Sequence, residues 1–116
     1  MLDFNILSLK NEERCEKHYR KLDEWGLEKI GLKVVGEVGE LCNLLGKIQN
    51  IQDNVIINVP ITEEELILKS GKELADIVIY CDLLATRLNL RLGFEVMKKF
   101  NEDSDKIKSR IKLHQL

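Results

Sequence analysis

Two pairs of carboxylates stand at a spacing that lets helical side chains act together: Glu37 and Glu40, then Glu73 and Asp76. Residues three apart share a helix face. At about 100° per residue, Glu37 falls in line with Ile30, Leu41, Leu44 and Ile48, and Glu73 with Leu66, Ile77, Tyr80 and Leu84. The acids therefore lie in or beside apolar stripes, where an ionised carboxylate without a partner costs several kcal/mol in lost hydration. Lys33 and Lys69 each precede a glutamate by four residues. That is the weaker orientation for an intrahelical ion pair, and it leaves Glu40 and Asp76 unexplained. If the two helices face one another, four like charges converge, and their repulsion takes a sizeable share of a stability of about 5–15 kcal/mol. A divalent cation resolves the conflict. An all-oxygen donor set points to magnesium, with manganese as a substitute, rather than zinc. The competing reading is a solvated acidic face.

The elements that must position these acids read as helices. The 116-residue chain has one proline, Pro60, and a helical apolar period, which predict a single all-α domain over residues 1–116 with four main helices in a bundle-like arrangement. The first helix is expected over residues 8–25, with Ser8 as a possible N-cap and Gly26 as the stop. The second spans residues 27–49 and carries the first acid pair. Residues 50–61 break the pattern and read as a loop, although the 55–59 run also has the character of a short strand. Thr62 and Glu65 form a capping box that opens the third helix, which runs to about residue 88. The fourth covers residues 92–112, with Phe94, Met97 and Phe100 in partial apolar register.

Charge and composition exclude several other classes. Eighteen basic and 20 acidic residues give a net charge of -2, so no basic field exists to hold nucleic acid. Cys15, Cys42 and Cys81 are odd in number and lack C-x-x-C spacing, which reads as reduced thiols in a cytoplasmic setting rather than a disulfide framework. No run of about 18 apolar residues occurs, so a membrane partner is not expected. Gly26 and Gly31 imitate a phosphate-binding loop, but Leu32 stands where its lysine should be. Gly36-Glu37-Val38-Gly39 imitates the KH glycine loop, yet an acid there repels a nucleic-acid backbone. Di-iron bundles need Glu-x-x-His, and the third positions here are Glu40 and Asp76.

Glu-x-x-Glu followed by Glu-x-x-Asp on consecutive helices resembles the MazG-like all-α nucleoside triphosphate pyrophosphohydrolases. The blocks Val35-Gly36-Glu37-Val38-Gly39-Glu40-Leu41 and Lys72-Glu73-Leu74-Ala75-Asp76-Ile77-Val78-Ile79-Tyr80 carry the likeness, together with Lys99-Phe100-Asn101-Glu102-Asp103-Ser104. It covers residues 25–110. The stretch between Glu40 and Glu73 is longer than the family leads one to expect, and Arg91 stands where the family often has an aspartate.

The resemblance implies an oligomeric MazG-type fold and a concrete reaction. Magnesium held by Glu37, Glu40, Glu73 and Asp76 would bridge a triphosphate while water attacks the α-phosphorus, giving a nucleoside monophosphate and pyrophosphate. Glu37 or Glu40 would take the proton from that water. Lys99 and Asn101 match family positions near the phosphates, and Tyr80 one that faces the nucleotide. Trp25 is a candidate for stacking on the base and His18 for bonding its edge, each with packing as its alternative. The substrate implied is a deoxynucleotide or noncanonical nucleotide, in the service of pool sanitation. A phosphoribosyl-ATP pyrophosphohydrolase shares the chemistry, and a noncatalytic helical interaction module is the alternative outside enzymology. Ile67, Leu74, Val78 and Cys81 lie beside the stripe of Leu66, Ile77 and Leu84, so one small bundle leaves apolar surface over, and a homodimer or homotetramer is expected.

Overall fold

The computed structural model describes residues 1–55 and 60–114. All regular structure among them is helical: α1 (Phe4–His18), a 3-10 turn (Leu22–Glu24), α2 (Leu27–Gln52), α3 (Glu63–Arg87) and α4 (Leu92–Lys106). The chain forms two compact units, Trp25–Cys81 and the remainder, so α3 gives residues 63–81 to one and 82–87 to the other.

Capping accounts for the differences from the expected boundaries. The α1 helix begins at Phe4 because Asp3 Oδ1 accepts from the Asn5 and Ile6 amides at 2.7 and 3.4 Å. Ser8 is therefore inside the helix rather than at its N-cap. At the other end the Tyr19 amide closes on the Cys15 carbonyl at 3.0 Å, and Leu22 buries itself in the following turn, so the helix stops at His18 instead of residue 25. Gly26, expected as a stop, is the extended N-cap residue of α2. That helix runs to Gln52, three residues past the expected end. Left-handed Asn54, Asn89 and Lys108 (φ 58, 59 and 58°) terminate α2, α3 and α4. Each is followed by an amide reaching back five residues: Val55 to Asn50, Leu90 to Ala85, Ser109 to Ser104. The fourth helix thus ends at Lys106 rather than 112, and its tail folds back. Asn101 holds that tail with both ends of its amide, donating to the Leu113 carbonyl at 2.9 Å and accepting from the Leu113 amide at 2.8 Å. The Thr62 hydroxyl accepts from the Glu65 amide at 3.2 Å, which is the Thr62 half of the expected capping box. Of the expected 50–61 loop, residues 50–52 are helical; the run for which a strand was the alternative lies outside the described residues beyond Val55.

In the unit built from α1, α4 and the end of α3, the buried side chains include Cys15, Leu22 and Ala85, together with polar Asn11, Asp82 and Ser104. Asp82 is fully buried. Ser8 Oγ lies 2.5 Å from one of its carboxylate oxygens and Asn11 Nδ2 3.0 Å from the other, so α1 supplies donors for an acid on α3. Gly93, in the first turn of α4, lies against Phe4: a Cβ built there would meet Phe4 Cβ at 2.9 Å.

Two stability predictions follow from this packing. Ser8→Ala removes one of two side-chain donors to a buried carboxylate and should cost about 1.5–3 kcal/mol. Gly93→Ala should cost about 1–3 kcal/mol through overpacking, whereas Gly46→Ala, where a Cβ has open space, should gain up to about 1 kcal/mol. Urea unfolding of the three variants checks both, and equal responses at the two glycines would contradict the α1–α4 contact.

Candidate metal centre

In the unit Trp25–Cys81, α2 and α3 run antiparallel. Gln52 Nε2 donates to Glu63 Oε1 at 3.0 Å near the connection, and farther along the pair Glu37 and Glu40 meet Glu73. Ile30 and Leu41 of α2 and Leu66 of α3 are buried, and Ser70 turns its hydroxyl back to the Leu66 carbonyl at 2.8 Å. The i, i+3 spacing then places the acids along one edge of this seam.

One carboxylate oxygen from each of Glu37, Glu73 and Asp76 lies within 4.8 Å of the others. Glu40 is exposed at the rim, close enough to Glu73 to act on it. Three of the four expected ligands therefore converge as a set, with the fourth beside them. Among the described residues neither Lys33 nor Lys69 forms an ion pair with these acids. Glu73 carries the strain: its Oε2 is sealed from solvent and meets no hydrogen-bond donor. Its neighbours Glu37 and Glu40 are acceptors too, unless a proton is shared between them. Sharing that proton with Glu37, loss of hydration, and then the proximity of Glu40 push Glu73 up to about 7 from an ordinary 4.5. A site made only of oxygen acceptors, with one buried and lacking a donor, fits a hard divalent cation. Beside it opens a cleft of about 320 Å³ lined by Glu40, Asn43, Leu44, Lys69, Lys72 and Glu73.

The other expected site residues are distributed between the units. Trp25 and Tyr80 lie in the unit that holds the acids, both half-buried, and the Lys29 ammonium sits over the Trp25 ring at 5.5 Å from its centroid. His18, Lys99 and Asn101 belong to the other unit. His18 is the exposed last residue of α1. Lys99 pairs with Asp103 at 2.7 Å, which raises the lysine and lowers the aspartate from their ordinary values. Asn101 is committed to the C-terminal tail. Sequence reasoning missed the Ser8–Asn11–Asp82 group. Its signal was available: Asp82 is an acid inside the apolar run 77–84.

Comparison with protein-family models, with curated proteins and with solved structures returns no match.

The acid cluster predicts the sign of a pH dependence. Because the folded Glu73 titrates near 7 and the unfolded one near 4.5, the folded state holds the extra proton between those values. Its contribution to stability should fall as pH rises from about 4.5 to about 7 and be level above. Melts in chelator should show this decline in wild type but not in Glu73→Gln, and saturating magnesium should abolish it in wild type. Identical profiles for the two proteins in chelator would contradict the shared-proton geometry.

Proposed function

We propose that this chain is a magnesium-dependent nucleoside triphosphate pyrophosphohydrolase of the MazG-like type. It would act in the cytoplasm as a homodimer or homotetramer on a deoxynucleotide or noncanonical nucleotide, releasing the monophosphate and pyrophosphate. The observation that carries this reading is the convergence of Glu37, Glu73 and Asp76 oxygens within 4.8 Å around a Glu73 oxygen that lacks a donor.

Glu37, Glu73 and Asp76 would hold magnesium, with Glu40 at the rim. When bound, the ion supplies charge neutralisation for a triphosphate and lowers the pKa of coordinated water. The chain's own groups do the rest. Glu40 borders the cleft and is exposed, which suits a group that accepts a proton from water; Glu37 is the other candidate. Lys69 and Lys72 line the same cleft and give an anionic ligand cationic groups beside the acids. Tyr80, one turn beyond Asp76, and Trp25, which the Lys29 ammonium approaches at 5.5 Å, are the candidates for nucleoside contact.

The test is a panel of nucleoside triphosphates, with phosphoribosyl-ATP included, assayed for monophosphate and pyrophosphate with magnesium and with chelator. Turnover should require magnesium, and Glu73→Gln or Asp76→Asn should lose about a hundredfold or more, beyond the 10–100-fold typical of residues that only support a ligand. In chelator above pH 7 the same substitutions should raise the melting temperature, because each removes one like charge. Full activity in either variant, or no turnover of any panel member, would overturn the reading.

A further inference from the structure

Charge is unevenly spread along this chain. Four of its 18 lysines and arginines and none of its 20 acids fall within residues 106–114, which leaves 14 basic against 20 acidic residues elsewhere. The segment therefore carries +4 and the rest of the chain -6, a separation that the net charge of -2 conceals. Lys106, Lys108, Arg110 and Lys112 alternate there with Ile107, Ser109, Ile111 and Leu113. The segment begins at the last residue of α4, turns through left-handed Lys108 and continues without regular structure. Its far end is fixed: the clasp of Asn101 on Leu113 is joined by Lys112, whose ammonium meets Asp105 and the Asn101 carbonyl. The acids at this end of α4 are answered by cations, Asp105 by Lys112 and Asp103 by Lys99, which also feels Glu102. Among the described residues, Lys108 and Arg110 form no ion pair. Ile107 is 77% exposed and Ile111 71%, so neither belongs to the core of its unit.

We infer that residues 106–114 are a peripheral docking segment for an anionic lipid surface, with Lys106, Lys108 and Arg110 on the headgroups and Ile107 and Ile111 between them at the acyl boundary. Basic residues gain from the negative potential of such a surface, and aliphatic side chains interleaved with them gain from leaving water. One interface answers both. A nucleic acid would answer the cations alone, because the segment has no aromatic side chain to stack on a base. The cations stand on a helix end, a left-handed turn and an irregular tail, so they share no common register. Mobile headgroups move to meet such an array, whereas the fixed carboxylates of a protein partner must match it. No helix of the described residues is long and apolar enough to cross a bilayer, so the contact is with the surface alone. The acidic remainder of the chain is repelled by the same surface, which selects this end for the approach. The inference is independent of what the carboxylate cluster binds.

Vesicles of equal parts phosphatidylserine and phosphatidylcholine should carry the full chain down on sedimentation at low ionic strength, and vesicles of phosphatidylcholine alone should not. Salt at about 1 M, where the screening length shrinks to about 3 Å, should release it. Lys108→Gln combined with Arg110→Gln should weaken partitioning by about tenfold or more, and Ile111→Gln should weaken it severalfold. Both variants change exposed side chains, so helical circular dichroism should be retained. Lys17→Gln combined with Lys21→Gln removes the same charge from exposed positions outside the segment and should leave partitioning within about twofold of wild type. No sedimentation with the anionic vesicles, equal sedimentation with both kinds, or wild-type partitioning in either segment variant would overturn the proposal. So would displacement of the vesicles by a single-stranded oligonucleotide that binds wild type and Ile111→Gln equally, which would assign the segment to nucleic acid.

Discussion

Repulsion among carboxylates on facing helices is the constraint on which the Trp25–Cys81 unit turns. Among the described residues of this unit, few aliphatic groups are buried: Ile30 and Leu41 on α2 and Leu66 on α3. Between the same helices Glu37, Glu73 and Asp76 come together, and one oxygen of Glu73 is sealed from water without a donor. A small domain has little surplus stability to spend on such an arrangement. Retaining a proton near neutral pH, as Glu73 does, relieves it in part. On the proposed function, a bound divalent cation would relieve it further and turn a local destabilisation into affinity.

The protein also contains the opposite solution. Asp82, on the same helix as Glu73, is fully buried, yet Ser8 and Asn11 of α1 bring polar hydrogens to its two oxygens. A buried acid with donors on both oxygens is a packing element. Glu73, whose nearest neighbours are further acids, has no such donor. The contrast distinguishes the carboxylates of α3 by their partners: Asp82 has donors on both oxygens, and Glu73 has acids around it.

Much of this was legible in the residue pattern, for identifiable reasons. The 3.6-residue period gave four helices and an all-α class, and the i, i+3 spacing with the apolar register placed Glu37, Glu73 and Asp76 on facing surfaces. Boundaries were less legible because they depend on hydrogen bonds between groups close in space. Asp3 rather than Ser8 caps α1, and no breaker residue marks its end at His18. The left-handed Lys108 that ends α4 is a residue type without strong preference for that conformation. Asn101 looked free to meet a ligand, but a tail twelve residues on uses its amide. Asp82 was passed over since a lone acid in an apolar run gives no hint of donors seventy residues away.

The central claim is that Glu37, Glu73 and Asp76 are a cation site held open by mutual repulsion. Calorimetric titration of the chelator-stripped protein with manganese, in buffers of different ionisation enthalpy, tests it most directly because it reads binding and proton release together. With Glu73 near 7, binding at pH 7 should release about half a proton per site and at pH 9 almost none. Glu73→Gln should lose both the binding and the release. Saturable binding with no proton released at pH 7, or equal binding by wild type and Glu73→Gln, would contradict it.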